Sequence, residues 1–311
     1  MNRSTRRLLP VVLLAVVALV AGACGDDDDD EGTASATPEG PTAAKGEITI
    51  GAFNFSESAI LAHIYAGALE EAGYTVEVRE NLGNRELVAP ALERGEIDMY
   101  PGYAATELEF FNSGAGQATP DAEETTEKLR TLLATKQLTA LQPSPAIDAN
   151  AFAVTKATAD RLKLTKLSDL APVAGDLTLG GPPECPQRPF CQVGLEQTYG
   201  LRFKSFKALD AGGPLSKTAL ENGDVDVALI FSSDGAIVAR NFVVLEDDKN
   251  LQNADNVVPV LRTQVATDEV EEILDGISAD LTTEDLTELN KRADVDKEDP
   301  DALAEEWLED H

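Results

Sequence analysis

Residues 91–99 read ALERGEIDM, and residues 219–227 read ALENGDVDV. The two stretches share Ala, Leu, Glu, Gly and the second acid, and exchanges such as Ile for Val keep size or charge. Each has the pattern of a helix end, a Gly that permits a left-handed C-cap, and a strand that enters a sheet. The similarity has two explanations. It arises by chance from the residue pattern common to helix-to-strand connections, or the chain is built from two similar α/β lobes.

The residues around the first stretch favour a parallel sheet covered by helices, because strand and helix patterns alternate there. Strands are predicted at 47–53, 74–80 and 96–101, and helices at 56–73 and 85–95. The helix at 56–73 starts at Ser56, a suitable cap, and stops at Gly73. The helix at 85–95 is predicted despite Pro90.

The same order of patterns restarts after residue 150. Strands are predicted at 151–156, 177–181, 202–209 and 224–231, and a helix at 213–223. In open α/β sheets, ligands collect beyond the carboxyl ends of the strands. Tyr103 and Thr106 follow the strand of the first copy, and Phe231 and Ser232 follow that of the second. We therefore expect these side chains to face one cleft between two lobes.

The N-terminus has the pattern of a lipoprotein signal peptide. Arg3, Arg6 and Arg7 precede an apolar run over 8–20, and small residues lead to Cys24. The run is shorter than the roughly 20 residues that span a bilayer. We expect residues 1–23 to be removed and Cys24 to carry the lipid, with a plain signal peptide or an uncleaved anchor as alternatives.

Residues 24–46 are acidic at first and then rich in small residues, Pro and Gly, which predicts a disordered tether. Loss of residues 1–23 removes three Arg and no acid, so the net charge of −31 becomes −34. So acidic a chain, with no basic stripe, is a poor candidate for binding nucleic acid.

Cys185 and Cys191 are the remaining cysteines, and in an oxidising compartment they most simply form a local disulfide. A metal site is the rival interpretation, although no His or further Cys lies near them in the sequence. His63 and His311 are the only histidines, and no nucleophile elbow, metal cluster or phosphate loop is recognisable. We therefore expect neither catalysis nor a cofactor.

The chain resembles the substrate-binding proteins of ABC importers for glycine betaine, choline and related osmoprotectants. The resemblance covers nearly all of 47–311 and rests on stretches such as ITIGAFNFSESAILAHIYAGALEEAGYTVEV, LGNRELVAPALERGEIDMYPGYAAT and ALENGDVDVALIFSSDGAI. It implies a type II periplasmic-binding-protein fold, in which two α/β lobes joined by two hinge crossings close on a ligand. The expected division is lobe 1 over 47–150, lobe 2 over 151–235, and a return to lobe 1 with C-terminal helices over 236–311.

The resemblance also suggests ligand-binding residues. Family members hold a trimethylammonium group among aromatic rings, since a quaternary ammonium has no N–H to donate. These rings form an aromatic box in the family. Tyr103 resembles one wall of the box, and Thr106 resembles the hydroxyl residue beside it. Phe231 stands at a position where the family often has Tyr. Arg188 resembles a carboxylate-binding Arg that the disulfide would fix in place.

Three positions depart from better-known members of the family. Phe53 stands where some have Lys, and Asn150 and Lys217 stand where some have Tyr walls. A box that has lost two rings and gained a cation would favour a zwitterion over choline. Ordinary packing remains an alternative for Phe53, Tyr103 and Phe231, and so does a solvated position for Lys217.

The resemblance implies a function in transport. The protein would capture a small osmoprotectant-like solute outside the cytoplasm, held to the membrane by its N-terminal lipid, and deliver it to the permease subunits of an ABC importer. A ligand-binding sensor for another small polar or carboxylate-bearing solute is the alternative.

Overall fold

The computed structural model of the chain describes residues 45–311, which form two sheet-centred lobes. The first sheet has the strand order β2-β1-β3-β10-β4. Its strands are β1 (Glu47–Gly51), β2 (Thr75–Arg79), β3 (Met99–Tyr103), β4 (Leu138–Ala140) and β10 (Val257–Arg262). β1 is parallel to β2 and β3, while β10 is antiparallel to β3 and β4.

The second sheet repeats this topology with the order β7-β6-β8-β5-β9. Its strands are β5 (Asn150–Thr155), β6 (Thr178–Gly181), β7 (Ser205–Ala208), β8 (Val227–Phe231) and β9 (Phe242–Val244). β6 is parallel to β7 and β8, and β5 is antiparallel to β8 and β9. The predicted architecture of two similar α/β lobes is confirmed.

Helices cover both sheets. In the first lobe they are α1 (Ser56–Glu71), α2 (Arg85–Arg94), α3 (Ala104–Phe111), α4 (Ala122–Ala134), α9 (Asp268–Asp280), α10 (Thr283–Lys291) and α11 (Pro300–Asp310). In the second lobe they are α5 (Lys156–Leu162), α6 (Gln192–Tyr199), α7 (Pro214–Glu221) and α8 (Ala236–Ala239). A π-helical turn at Arg292–Asp296 joins α10 to the C-terminal segment.

The twin stretches occupy equivalent joints in the two lobes. The first joins α2 to β3 and the second joins α7 to β8, the central strand of each sheet. Gly95 and Gly223 both have left-handed backbone, with φ of 72° and 73°. This conformation costs glycine little and other residues more. The predicted helix, glycine and strand order is therefore confirmed at both sites.

Each lobe has its own hydrophobic core. The first core lies between the first sheet, α1 and the C-terminal helices, and Leu303 and Trp307 of α11 are among its buried members. The second core is built around the second sheet, with Phe152 and Leu229 as central residues. The expected return of the C-terminal helices to the first lobe is thus observed.

The chain crosses between the lobes twice, after β4 and after β9. The two crossing segments run side by side, because the Asp148 N–H donates to the Asp255 carbonyl oxygen at 3.0 Å and Ile147 pairs antiparallel with Asn256. Such a pair of adjacent crossings is suited to act as a hinge.

The second crossing lies later in the chain than the expected boundary at residue 235. Strand β9 pairs with β5 in the second sheet, and Leu245 and Leu251 belong to the second core. The second lobe therefore extends to about residue 253, and the second crossing lies near Asp255.

No helix within residues 45–311 combines the length and the apolar character needed to span a bilayer. The predicted signal peptide, most of the tether and Cys24 lie outside the described residues.

Candidate functional site

A cavity lies between the lobes, where β1, β3, β6 and β8 end. It encloses about 630 Å³ of space, including its open mouth. The cleft is at the expected place for an α/β sheet, beyond the carboxyl ends of parallel strands.

Four aromatic rings form the apolar wall of the cleft. Phe53, Phe55 and Tyr103 come from the first lobe, and Phe231 comes from the second. The ring of Phe55 lies in the middle, with centroid distances of 5.8 Å to Phe53, 6.3 Å to Tyr103 and 5.3 Å to Phe231. These distances are typical of direct ring contact. Because Phe231 belongs to the other lobe, the full set of rings assembles only when the lobes are in contact.

The turn between β1 and α1 positions two of these rings. The Phe53 N–H donates to the Ser58 hydroxyl at 2.9 Å, which fixes the turn against the first residues of α1. Phe55 is the extended residue before α1, with φ −146° and ψ 156°. An extended backbone directs alternate side chains to the same side, so Phe53 and Phe55 stack with an interplanar angle of 14°.

Tyr103 ends β3 and donates its hydroxyl to Glu57 at 2.6 Å. Burial, and then the charge of Glu57, raise the pKa of Tyr103 well above its usual value. The phenol therefore stays neutral and keeps its proton in the hydrogen bond to Glu57. The ring of Tyr103 is thereby held in place at the cleft.

Arg85, the first residue of α2, lies 5.1 Å from the centroid of the Phe53 ring. Its guanidinium is buried, which by itself lowers the pKa of Arg85, but the ion pair with Glu107 at 2.6 Å outweighs the burial and raises it. Glu107 also accepts the Tyr100 hydroxyl at 2.9 Å. The charge of Arg85 is thus matched inside the first lobe.

Arg188 lies in the loop closed by the disulfide between Cys185 and Cys191, so the predicted pairing is confirmed. Its guanidinium pairs with Glu86 at 2.8 Å and with Glu184 at 3.4 Å. Glu86 belongs to α2 of the first lobe, whereas Arg188 belongs to the second. The pair with Glu86 therefore joins the lobes beside the cleft, and Arg188 has carboxylate partners without any ligand.

Asp255, on the second crossing, accepts the N–H and the hydroxyl of Thr106, both at 2.7 Å. Burial raises the pKa of Asp255 to about 6, and the two hydrogen bonds from Thr106 oppose this shift. The Thr106 hydroxyl proton is therefore already used by Asp255. Both residues line the cleft, and their hydrogen bonds tie the first turn of α3 to the crossing.

Six of the eight predicted ligand-binding residues line this cleft. They are Phe53, Tyr103, Thr106, Asn150, Arg188 and Phe231. Asn150 donates its side-chain amide to the Phe190 carbonyl oxygen at 3.1 Å, and it starts β5 at the base of the cleft.

Lys217 and Ser232, which were also predicted to contact the ligand, do not line this cleft. Lys217 is buried on α7, and its ammonium lies 2.8 Å from both Asp234 and Asp294. Two carboxylates therefore match its charge away from the aromatic rings, and Asp294 belongs to the first lobe. The Ser232 hydroxyl accepts the Ala149 N–H at 2.9 Å and so holds the first crossing.

The sequence reasoning missed several cleft residues. They are Phe55, Arg85, Asp148, Glu184 and Asp255. Phe55 had a readable signal, because it is two positions after Phe53 in an extended segment. Arg85 and Asp255 carry no such signal, since their place depends on contacts with residues far away in the chain.

The comparison with known proteins agrees with this geometry. The family described as the substrate-binding domain of ABC-type glycine betaine transport systems matches residues 46–310. The glycine betaine-binding protein YehZ of Escherichia coli is 27% identical over 86% of this chain and 92% of its own length. The carnitine transport binding protein OpuCC of Listeria monocytogenes is 28% identical over 85% of this chain and 87% of its own.

A solved crystal structure supports the same assignment. It is described as a glycine betaine/carnitine/choline ABC transporter, and it matches with a TM-score of 0.67 and 27% identity. The match covers 85% of this chain and 98% of the other. These relatives are named as binding proteins or components of transport systems. The chain belongs to the family of substrate-binding domains of ABC-type glycine betaine transport systems.

Proposed function

We propose that this protein captures a small quaternary-ammonium solute of the glycine betaine, carnitine or choline type and presents it to the permease subunits of an ABC importer. The relatives named above bind or transport such solutes. The ligand-binding residues proposed for this chain all line the cleft. They are the four aromatic residues together with Thr106, Asn150 and Arg188.

The observation that carries the proposal is the contribution of rings by both lobes. An alkylammonium group has no N–H, so attraction to ring faces is its main specific contact, worth about 0.5–2 kcal/mol per ring. Phe55 and Phe231 lie 5.3 Å apart across the lobe junction. A solute that lies against both rings touches both lobes, and its binding energy favours their association.

The charges of the cleft also support an onium ligand. Arg85 is paired with Glu107, and Arg188 is paired with Glu86 and Glu184. Among the described residues that line the cleft, no cation is left without a carboxylate, so an incoming onium group meets no unmatched positive charge. The earlier preference for a zwitterion over choline loses its basis in Lys217, which lies elsewhere.

Titration calorimetry with glycine betaine, carnitine and choline tests the proposal. We expect saturable binding of at least one of them, with Arg188→Ala weakening a carboxylate-bearing solute more than choline. Choline is the internal control, because it carries the same onium group and lacks the carboxylate. Absence of binding by all three solutes at millimolar concentration would contradict the proposal.

We further propose that the protein acts outside the cytoplasm, lipid-anchored through Cys24. This rests on the three arginines, the apolar run over 8–20 and the small residues before Cys24. Partition of the full-length chain into detergent, lost in Cys24→Ser, tests the anchor. A native chain that is freely soluble outside the cell would count against it.

A further inference from the structure

Two buried carboxyl groups share one serine hydroxyl at the junction of the lobes. The Ser233 oxygen lies 2.7 Å from a Glu57 carboxyl oxygen and 2.7 Å from an Asp148 carboxyl oxygen. Glu57 belongs to α1 of the first lobe, Asp148 to the first crossing, and Ser233 to the loop after β8 in the second lobe. The three side chains therefore meet only when the lobes are together.

The number of protons in this cluster follows from the geometry. A hydroxyl donates one hydrogen bond, so Ser233 can serve only one of the two carboxyl groups at 2.7 Å. The other contact of that length is a hydrogen bond only if its carboxyl group carries a proton and donates to the Ser233 oxygen. Both 2.7 Å contacts can be hydrogen bonds only if one of the two carboxyl groups is protonated.

The surroundings indicate which group is protonated. Glu57 accepts from three donors, namely the Tyr103 hydroxyl at 2.6 Å, Ser233 and the Asn290 amide. Three donors stabilise Glu57 as the anion. Asp148 has fewer donors, chiefly the N–H of Ser233 at 3.1 Å, so the arrangement places the proton on Asp148.

No cation offsets the two carboxyl groups. Within residues 45–311, neither Glu57 nor Asp148 forms an ion pair. The charged neighbours at longer range are Asp255, which disfavours a second anion at Asp148, and Arg85, which acts on the neighbouring phenol of Tyr103. Burial is the largest influence on the pKa of both Glu57 and Asp148 and raises both, and the charge of Glu57 raises Asp148 further.

We propose that the Glu57–Ser233–Asp148 cluster is a proton-binding site, so that closure of the lobes on a solute takes up one proton. The proposal rests on the function proposed above. When the lobes separate, Ser233 leaves Glu57 and water reaches both carboxyl groups, which removes the reason to hold the proton. The closed state then binds more protons than the open state.

The sign of the pH dependence follows from this difference. Since the pKa of Asp148 is higher in the closed state than in the open state, the solute binds best below the open-state pKa. Affinity is lost as the pH rises through the interval between the two pKa values. The limiting slope for one proton is a tenfold weaker Kd for each pH unit.

Calorimetry with glycine betaine and choline as probes measures the proton directly. Titrations at one pH in phosphate and in Tris differ in apparent enthalpy in proportion to the protons exchanged with the buffer. At a pH between the open-state and closed-state pKa values of Asp148, found by repeating the titrations at several pH values, we expect an uptake close to one proton per solute, falling toward zero in Asp148→Asn. Asp226→Asn is the matched control: its carboxylate accepts the Thr178 N–H at 2.9 Å, and we expect its uptake to equal that of the wild type.

Buffer-independent enthalpy for a bound solute at every pH tested in the wild type would overturn the proposal while leaving the proposed function intact. If Asp148→Asn fails to fold, Glu57→Gln replaces it, because an amide at this position cannot share the proton. If neither probe binds, the proposed function fails, and the proton uptake that rests on it fails as well.

Infrared spectroscopy gives a second readout when a probe binds, by comparing solute-saturated with solute-free protein over a pH range of about 5 to 8. A protonated carboxyl band that persists to higher pH in the solute-saturated wild type, and that is lost in Asp148→Asn or Glu57→Gln, supports the site. Identical bands with and without the solute over this range overturn it.

Discussion

Replacing Phe231 with Leu tests the ring that joins the two halves of the cleft. Leu keeps an apolar side chain of similar bulk but removes the ring face. The loss has two parts: the contact with Phe55 at 5.3 Å, worth about 0.5–1.5 kcal/mol, and one cation–π contact of about 0.5–2 kcal/mol. Together they predict a loss of about 1–3.5 kcal/mol in binding, or roughly 5- to 400-fold in Kd.

Calorimetry with choline and glycine betaine measures this loss. Phe206→Leu is the matched control, because Phe206 is a half-buried ring that packs against the second core and does not line the cleft. We expect the control to bind as the wild type does. Equal affinity of Phe231→Leu and wild type, or an equal loss in both variants, would refute the role of the ring.

Three further predictions concern the surroundings of the cleft. The Cys185–Cys191 disulfide closes a short loop, so its constraint on the unfolded state contributes only about 2 kcal/mol to stability. Reduction should therefore weaken betaine binding, through Arg188, more than it lowers the free energy of unfolding. Equal affinity of the reduced and oxidised forms would make the bond purely structural. The pKa of about 6 at Asp255 means that the folded state binds the carboxyl proton more tightly than the unfolded state does. The free energy of unfolding should therefore fall by at most about 3 kcal/mol as the pH rises from about 4 to about 6. Urea unfolding of Asp255→Asn should lack this fall. Lys217→Ala leaves the buried Asp234 without its cation and should cost about 3 kcal/mol in urea unfolding, whereas an unchanged midpoint would show that the ion pair contributes nothing.

The fold was readable because its signals are local. The repeated stretch marks the same joint in each lobe, where Gly95 and Gly223 adopt the left-handed backbone that their positions require. The alternating patterns of β1 and β2 and the apolar run of β8 were also sufficient to place these strands. Two copies of one local pattern of helix, glycine and strand then predicted two similar sheets.

The lobe boundary was not readable in the same way. Strand β9 has only three residues, Phe242–Val244, and its membership of the second sheet depends on pairing with β5 about 90 positions earlier. Such a short strand has little periodicity. The expected boundary at residue 235 therefore cut the second lobe before its last strand.

The candidate site was predictable to the extent that strand ends determine it. Tyr103 and Phe231 end equivalent strands, so they had to face one cleft. The partners of the charged residues were not predictable, because Arg188 pairs with Glu86 across 102 positions and Lys217 with Asp294 across 77. Alignment to a family position does not indicate which carboxylates surround a cation.

The most direct test of the central claim compares onium solutes with isosteres of the same shape that lack the positive charge. In dimethylbutanol and dimethylbutyrate a carbon replaces the ammonium nitrogen of choline and of glycine betaine. If attraction between the positive charge and the ring faces holds the solute, the onium member of at least one pair should bind tenfold or more tightly by calorimetry, since each ring contributes about 0.5–2 kcal/mol. Equal or tighter binding of both isosteres without the positive charge would contradict the account.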